Sequence, residues 1–368
     1  MYIYLRSNWP KFTWNREKVL KPLLEVKFLQ GLLLGKMESL GFNLKEEAVL
    51  DVLTQDILKS SEVEGEILNK EQVRSSVARR LGINAGGIYT KGLINIDRDV
   101  EGIVEMMLDA TQHYDRPLTK DRLFGWHASL FPTGYSGMYK IEVGRFRDDK
   151  NGSMQVVSGP VGKKKIHYQA PDASVLDIEL TRFLDWINRK DNHDVLSAGI
   201  AHLWFVTIHP FDDGNGRIAR AITDMLLAES ERTSQRFYSM SAQIMKERNA
   251  YYDILEKTQK KDVDITGWLV WFLKCLRKAI ENAEETLSTV LDKAHFWQKY
   301  SEVILNDRQK KVLNRFLDGF EGNLTSSKWA KISKSSQDSA NRDISYLLEK
   351  NMLIKKGSGR NTHYILNI

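Results

Sequence analysis

Over most of the chain apolar residues recur at the period of a helix. In NLKEEAVLDVLTQDILKSSEVE (Asn43–Glu64), Val49, Leu53, Ile57 and Leu58 fall on one stripe, which predicts a helix that Gly65 stops. A second helix is predicted from about Asp194 to Thr207, with Leu196, Ile200, Leu203 and Trp204 on its apolar stripe. RIARAITDMLLAES resumes the period from about Arg217 through Ile218, Ile222, Met225 and Leu226, and a long helical stretch follows from Ile265 to about Ile304. One stretch breaks the pattern. MQVVSGPVGKKKIHYQAP (Met154–Pro171) alternates loosely around Gly159-Pro160 and Gly162, which predicts a hairpin with Lys163, Lys164 and Lys165 near its tip. The fold class is therefore mainly α with a small β-hairpin.

From Asn306 onward the order is helix, short helix with Thr325 as N-cap, longer helix, and a hairpin around Gly357-Ser358-Gly359. This tail differs in charge from the rest. Residues 301–368 hold 12 Lys and Arg against 7 Asp and Glu, while the whole chain has a net charge of +6, so the body is nearly neutral. With 368 residues there is material for two or three domains, and 42% apolar and 28% charged residues is an ordinary globular balance. The first residues scatter their charges and lack the apolar block of a signal peptide. The most apolar run, WLVWFLKCL (Trp268–Leu276), is short for a membrane span and contains Lys274. Cys275 is the one cysteine and cannot form an internal disulfide. These features lead us to expect a cytoplasmic protein with no membrane partner.

The chemistry concentrates in HPFDDGNGRIAR, His209–Arg220, between two predicted helices. Gly214, Asn215 and Gly216 lie where the N–H groups of a helix start have no intrahelical partner, and two glycines let the backbone approach a ligand. Such a nest binds anions, phosphate above all. Arg217 and Arg220 share a helix face and can clamp further phosphate oxygens. Asp213 beside this positive site calls for a cation, which a phosphate-bridging Mg²⁺ supplies. His209, with a near-neutral pKa, can take the proton of an attacking hydroxyl. The P-loop pattern is absent, so this is another kind of phosphate cradle.

The stretch resembles the signature of the Fic family, H-x-F-x-[D/E]-G-N-G-R-x-x-R, with each defined position matched. The resemblance implies a Fic-type helical core that transfers AMP from ATP to a Ser, Thr or Tyr hydroxyl of a protein target or of the chain itself, releasing pyrophosphate. It implies His209 as base, Phe211 as anchor, Asp213 as the Mg²⁺ ligand, the backbone at Gly214, Asn215 and Gly216 on the α/β-phosphates, and Arg217 and Arg220 on the β- and γ-phosphates. The hairpin occupies the family's flap position, with Val157, Ser158, Gly159 and Pro160 as target-docking candidates by strand addition. ERNAYYDILEKTQ resembles the segment lining the adenine pocket, which makes Tyr251, Tyr252 and Gln259 candidates for ATP binding.

A shorter stretch, SSEVEG (Ser60–Gly65), crowds Glu62, Glu64 and the following Glu66 at a predicted helix end without an obvious local cation. The helix dipole disfavours anions there by about 0.3–1 kcal/mol each. Ser60, Glu64 and Gly65 match the family's inhibitory motif [S/T]-x-x-x-E-[G/N]; the resemblance implies that Glu64 pairs with Arg220 and obstructs productive γ-phosphate binding. The tail resembles a winged helix-turn-helix, with Lys328, Lys331, Lys334, Arg342, Lys355, Lys356 and Arg360 as basic contacts to DNA or, equally, a protein-docking module. The expected division is 1–95 helical extension, 96–300 Fic core and 301–368 winged helix. Two other readings fit the same residues: removal of AMP, with Glu64 orienting water, and a DNA-binding regulator using the core as nucleotide sensor. Gly216, where kinase-like relatives carry Lys, argues against phosphate transfer.

Overall fold

In a computed structural model, residues 1–38, 42–83, 95–150, 152–159, 165–189, 194–317, 320 and 322–368 are described. Pro160, Gly162, Lys163 and Lys164 of the predicted hairpin tip and the side chain of Arg360 lie outside them. The chain divides into two compact units, one of Met1–Gly41 with Lys45–Ala283 and one of Phe42–Leu44 with Glu284–Ile368.

The first unit is helical. α1 (Arg16–Glu38), α2 (Phe42–Val63) and α3 (Lys70–Leu81) precede α4 (Arg98–Gln112) and α5 (Lys120–Leu130). Two antiparallel hairpins follow, β1 (Tyr135–Ser136) with β2 (Tyr139–Lys140), and β3 (Gln155–Ser158) with β4 (Lys165–Gln169). α6 (Leu176–Ile187), α7 (Val195–Ile208), α8 (Asn215–Glu231), α9 (Met240–Lys246), α10 (Arg248–Gln259) and the start of α11 (Thr266–Lys299) complete it.

Local signals explain most boundaries. Asp194 caps α7 by accepting from Ser197 N, Thr119 caps α5, and Asn69 caps α3. Gly65 at φ 88° follows the end of α2, a backbone that glycine adopts without a Cβ penalty. α7 departs from the expectation of a single stripe: all its residues are buried, so it is the central helix and is apolar on every side. Gly199 on α7 lets Phe272 of α11 pack against the backbone, since a Cβ would fall 2.9 Å from that ring. α8 starts two residues earlier than its apolar period suggested, because Gly214 at φ 81° serves as its N-cap. α11 ends at Lys299, short of the expected Ile304.

The second unit has its own core of Phe296, Val312, Leu313, Trp329, Ile344 and Leu347. Around it stand α12 (Asp307–Leu317), α13 (Ser326–Ser333, capped by Thr325), α14 (Gln337–Glu349) and the antiparallel pair β5 (Leu353–Lys356) and β6 (His363–Leu366), extended by an antiparallel bridge between Leu324 and Tyr364. Lys328, Lys331, Lys334, Arg342, Lys355 and Lys356 are exposed.

Candidate active site

His209 ends α7 in the left-handed region at φ 51°, an uncommon place for a non-glycine residue. Arg147 holds it there. Its buried guanidinium donates from Nε to His209 O at 2.8 Å, its backbone N–H donates to Pro210 O at 3.0 Å, and Nη1 pairs with Asp149 at 2.8 Å. His209 Nδ1 lies 3.3 Å from Val206 O; a carbonyl accepts only, so Nδ1 carries the proton and Nε2 keeps a free lone pair. Burial, reinforced by Arg147, brings the imidazole pKa down to about 4 against the opposing pull of Val206, Asp213 and Glu64. His209 is thus a neutral base at pH 7.

The rest of the loop is stiffened from inside. Phe211 is fully buried, and His127 stacks on it with centroids 4.3 Å apart. His127 Nδ1 accepts from Gly144 N at 3.1 Å, which leaves Nε2–H to donate to Asp213 O at 3.2 Å. Burial brings the His127 pKa down to about 4 as well, so this bridge is built from the neutral ring. Asn215 spends its side chain on the loop itself, accepting from Phe211 N at 3.0 Å and donating to Phe211 O at 2.8 Å. Only its backbone is left to face a ligand. Asp213 remains 44% exposed; one oxygen accepts from Gly214 N and the other from Ser136 Oγ.

α2 and α8 meet with their residue numbers running in opposite senses, one helical turn per step. Asp56 lies beside Asp224, whose carboxyl pKa burial and then Asp56 raise, Ser60 meets Arg220, and Glu64 meets Gly216. Arg220, 1% exposed, donates to Ser60 Oγ at 2.9 Å, Ser60 O at 2.8 Å and Glu64 Oε1 at 2.8 Å. Burial would lower its pKa, but the Glu64 carboxylate and nearby tyrosines outweigh that and raise it. A Cβ on Gly216 would lie 2.1 Å from Glu64 Oε1, so glycine is what admits the carboxylate to the start of α8. Arg217 pairs with Glu66 at 2.7 Å, lies 3.9 Å from Asp213 and packs over the Phe131 ring. Two α2-side carboxylates therefore stand at both arginines, where phosphate oxygens were expected.

The expected crowding of unpaired acids is corrected at Glu62, which pairs with Lys59 at 2.5 Å. The end of α2 is held by Arg248, whose Nε donates to Val63 O at 2.7 Å, and by Tyr252, whose hydroxyl lies 3.3 Å from Val63 O and 3.4 Å from Glu64 Oε2. Of the three adenine-pocket candidates Tyr252 borders Glu64, and Tyr251 and Tyr252 both lie near the Arg220 guanidinium. Tyr251 is buried among Trp268 and Trp271 and hydrogen-bonds His202, while Gln259 is buried against Thr207 and Val206. Val157 and Ser158 lie on β3, and Gly159 follows at φ 98°. Arg147, His127, Arg248 and Ser136 carry no motif and went unseen in the sequence; the run GRFRDD before the hairpin is the one hint that a charged side chain turns inward.

Comparison with known proteins matches residues 117–227 to the Fic/DOC family and residues 2–83 to a domain of unknown function (DUF4172). The chain carries a Fic/DOC domain. The protein adenylyltransferase Fic of Nematostella vectensis is 23% identical over 241 residues, covering 64% of this chain and 50% of that protein. The protein of the same name from Aedes aegypti is 25% identical over 222 residues, covering 59% and 39%. The chain thus spans half or less of these curated relatives. Among solved structures, a Fic family protein from Desulfovibrio desulfuricans G20 superposes with a TM-score of 0.52 at 19% identity, covering 97% of this chain and 98% of that one. A Fic domain containing signaling protein from Bacteroides thetaiotaomicron VPI-5482 gives 0.52 at 17% identity, covering 72% and 97%. These likenesses show the fold: mainly helical and of Fic type. Among the described residues no helix is long and apolar enough to cross a membrane.

Proposed function

We propose that this chain transfers AMP from ATP to a hydroxyl of a protein target or of itself, and that Glu64 holds it inactive. The observation that carries the reading is the neutral His209 with its free Nε2 beside the start of α8, where Arg217 and Arg220 each pair with a carboxylate. The α8 N-terminus and the two guanidiniums form a site for several negative charges, which suits a triphosphate. His209 Nε2 takes the proton of the incoming hydroxyl, and the stiffened loop keeps that atom in place while the arginines hold the leaving pyrophosphate.

Asp213 suits Mg²⁺: it is a half-exposed carboxylate at the edge of the phosphate cradle, and Mg²⁺ takes one or two carboxylates together with substrate phosphates. When bound, the ion would neutralise phosphate charge. Glu64 occupies the anion position of Arg220, so the γ-phosphate competes with it and the α-phosphate is displaced from in-line attack.

Incubating the chain carrying Glu64→Gly and a cell lysate with ATP labelled at the α- or the γ-phosphate tests the reaction. Protein-bound label from the α position alone is expected; label from the γ position means phosphate transfer and overturns the reading. The second unit, with its exposed lysines, is suited to DNA or protein docking. For DNA, retention that weakens steeply with salt and is lost in Lys328→Glu/Lys331→Glu/Lys355→Glu is expected; no retention at low salt assigns the unit to a protein partner.

A further inference from the structure

A second proton-handling array lies outside the 209–220 loop. Ser158 on β3, His167 on β4 and Glu256 on α10 form a hydrogen-bonded chain: Ser158 Oγ is 2.6 Å from His167 Nε2, and His167 Nδ1 is 2.6 Å from Glu256 Oε2. The direction follows from the acceptor. A carboxylate fixes the proton on Nδ1, so Nε2 presents its lone pair and the serine O–H donates to it. This is the order of groups that activates a serine nucleophile: hydroxyl, imidazole base, orienting carboxylate. Ser158 is exposed, whereas the His167 and Glu256 side chains are only 27% and 25% exposed, so the working atom faces outward and its support inward.

The array borders the nucleotide site. Glu256 is one turn beyond Tyr252, which touches Glu64, and Tyr168, next to His167, donates to Thr207 O at 2.6 Å just before His209. Lys260, at 2.6 Å from Glu256, and His167 together hold the Glu256 carboxyl down to about 2, so it stays ionised. A mere staple between β4 and α10 needs His167 and Glu256 but gives no reason for an exposed serine hydroxyl on the imidazole's other nitrogen.

We propose that Ser158, His167 and Glu256 form a nucleophilic relay and that Ser158 is the chain's own acceptor of AMP. This rests on the AMP-transfer reading. The Ser158 Oγ–Pα bond forms as the bond from Pα to the bridging oxygen of the β-phosphate breaks. At this one acceptor His167 Nε2, already hydrogen-bonded to the hydroxyl, takes the serine proton in place of His209, the imidazolium is stabilised by Glu256, and pyrophosphate leaves with the electron pair.

The test uses the full chain carrying Glu64→Gly, incubated with α-labelled ATP and Mg²⁺ and mapped by peptide mass spectrometry. AMP on the peptide containing Ser158 is expected. It is lost in Ser158→Ala and falls about a hundredfold or more in His167→Gln, within the range for a general base, while AMP on other hydroxyls persists. AMP on other residues or proteins with Ser158 unmodified overturns the proposal and leaves AMP transfer standing. No label anywhere overturns AMP transfer and the acceptor role together. The relay is then judged with a fluorophosphonate probe, which needs no nucleotide: labelling of Ser158 that His167→Gln abolishes supports it, and an unlabelled Ser158 overturns it. Unchanged thermal unfolding of both variants separates these outcomes from misfolding.

Discussion

The loop from His209 to Gly216 and the end of α2 meet at the same two arginines, yet they are held in different ways. The loop is locked from within: Phe211 fills the core, Asn215 ties both polar groups of the Phe211 backbone, His127 holds Asp213 O, and Arg147 grips His209 O. The α2 end is held mainly by the groups a ligand would use. Ser60, Glu64 and Glu66 each place polar atoms on Arg220 or Arg217, while among the described residues Arg248 and Tyr252 hold the Val63 carbonyl. A locked loop keeps catalytic geometry without ordering cost at the moment of reaction. A segment held by its competitor's contacts can be displaced by that competitor.

The largest effect should come from the locked side. With Glu64→Gly as parent, His209→Ala should lower AMP transfer to hydroxyls other than Ser158 by about 10²–10⁴-fold, the usual contribution of a general base, with ATP affinity in equilibrium dialysis unchanged. Activity near the parent's would remove His209 from the base role. Phe211→Ala should destabilise the chain by about 3–5 kcal/mol in chemical denaturation, as for other large core deletions. A cost below about 1 kcal/mol would mean that the loop is not anchored as described.

The displaceable side should respond in the opposite sense. Glu64→Gly should raise incorporation of α-labelled AMP by about tenfold to a hundredfold, because a misplacement of about 1 Å costs on that order. Arg220→Ala breaks the same ion pair but should not activate, since the lost guanidinium also binds phosphate. Equal rates for wild type and Glu64→Gly would reduce the pair to a structural contact.

A smaller, graded effect is expected with pH. Burial holds the His127 pKa at about 4 and the His202 pKa at about 3, below the free value of 6.5. The unfolded chain then binds protons that the folded chain does not, so stability is full above pH 6.5 and is lost as pH falls towards 4. The slope should be about 1.4 kcal/mol per pH unit for each histidine. His127→Gln, which keeps a hydrogen-bonding side chain, should flatten the pH dependence of the unfolding midpoint; an unchanged slope would show that His127 is not buried neutral.

What the sequence by itself determined is local. The apolar period located the helices, the cap residues and Gly65 set several ends, and HPFDDGNGRIAR packed a base, an anion nest and two guanidiniums into one contiguous segment. Chemistry that fits within one helical turn and its preceding loop is legible because chain spacing alone brings it together. The tertiary structure decided everything that depends on which segments meet. It buried α7 on all sides, buried Tyr251 beside Arg220 and Gln259 against Thr207, and brought Arg147, distant in sequence, onto His209 O. It also set Asp56, Ser60 and Glu64 against Asp224, Arg220 and Gly216. The reason is physical: periodicity reports which face of an element avoids water, but the Arg220–Glu64 ion pair joins residues 156 apart in the chain and the His127 tautomer is set by Gly144 and Asp213, and only packing chooses such partners.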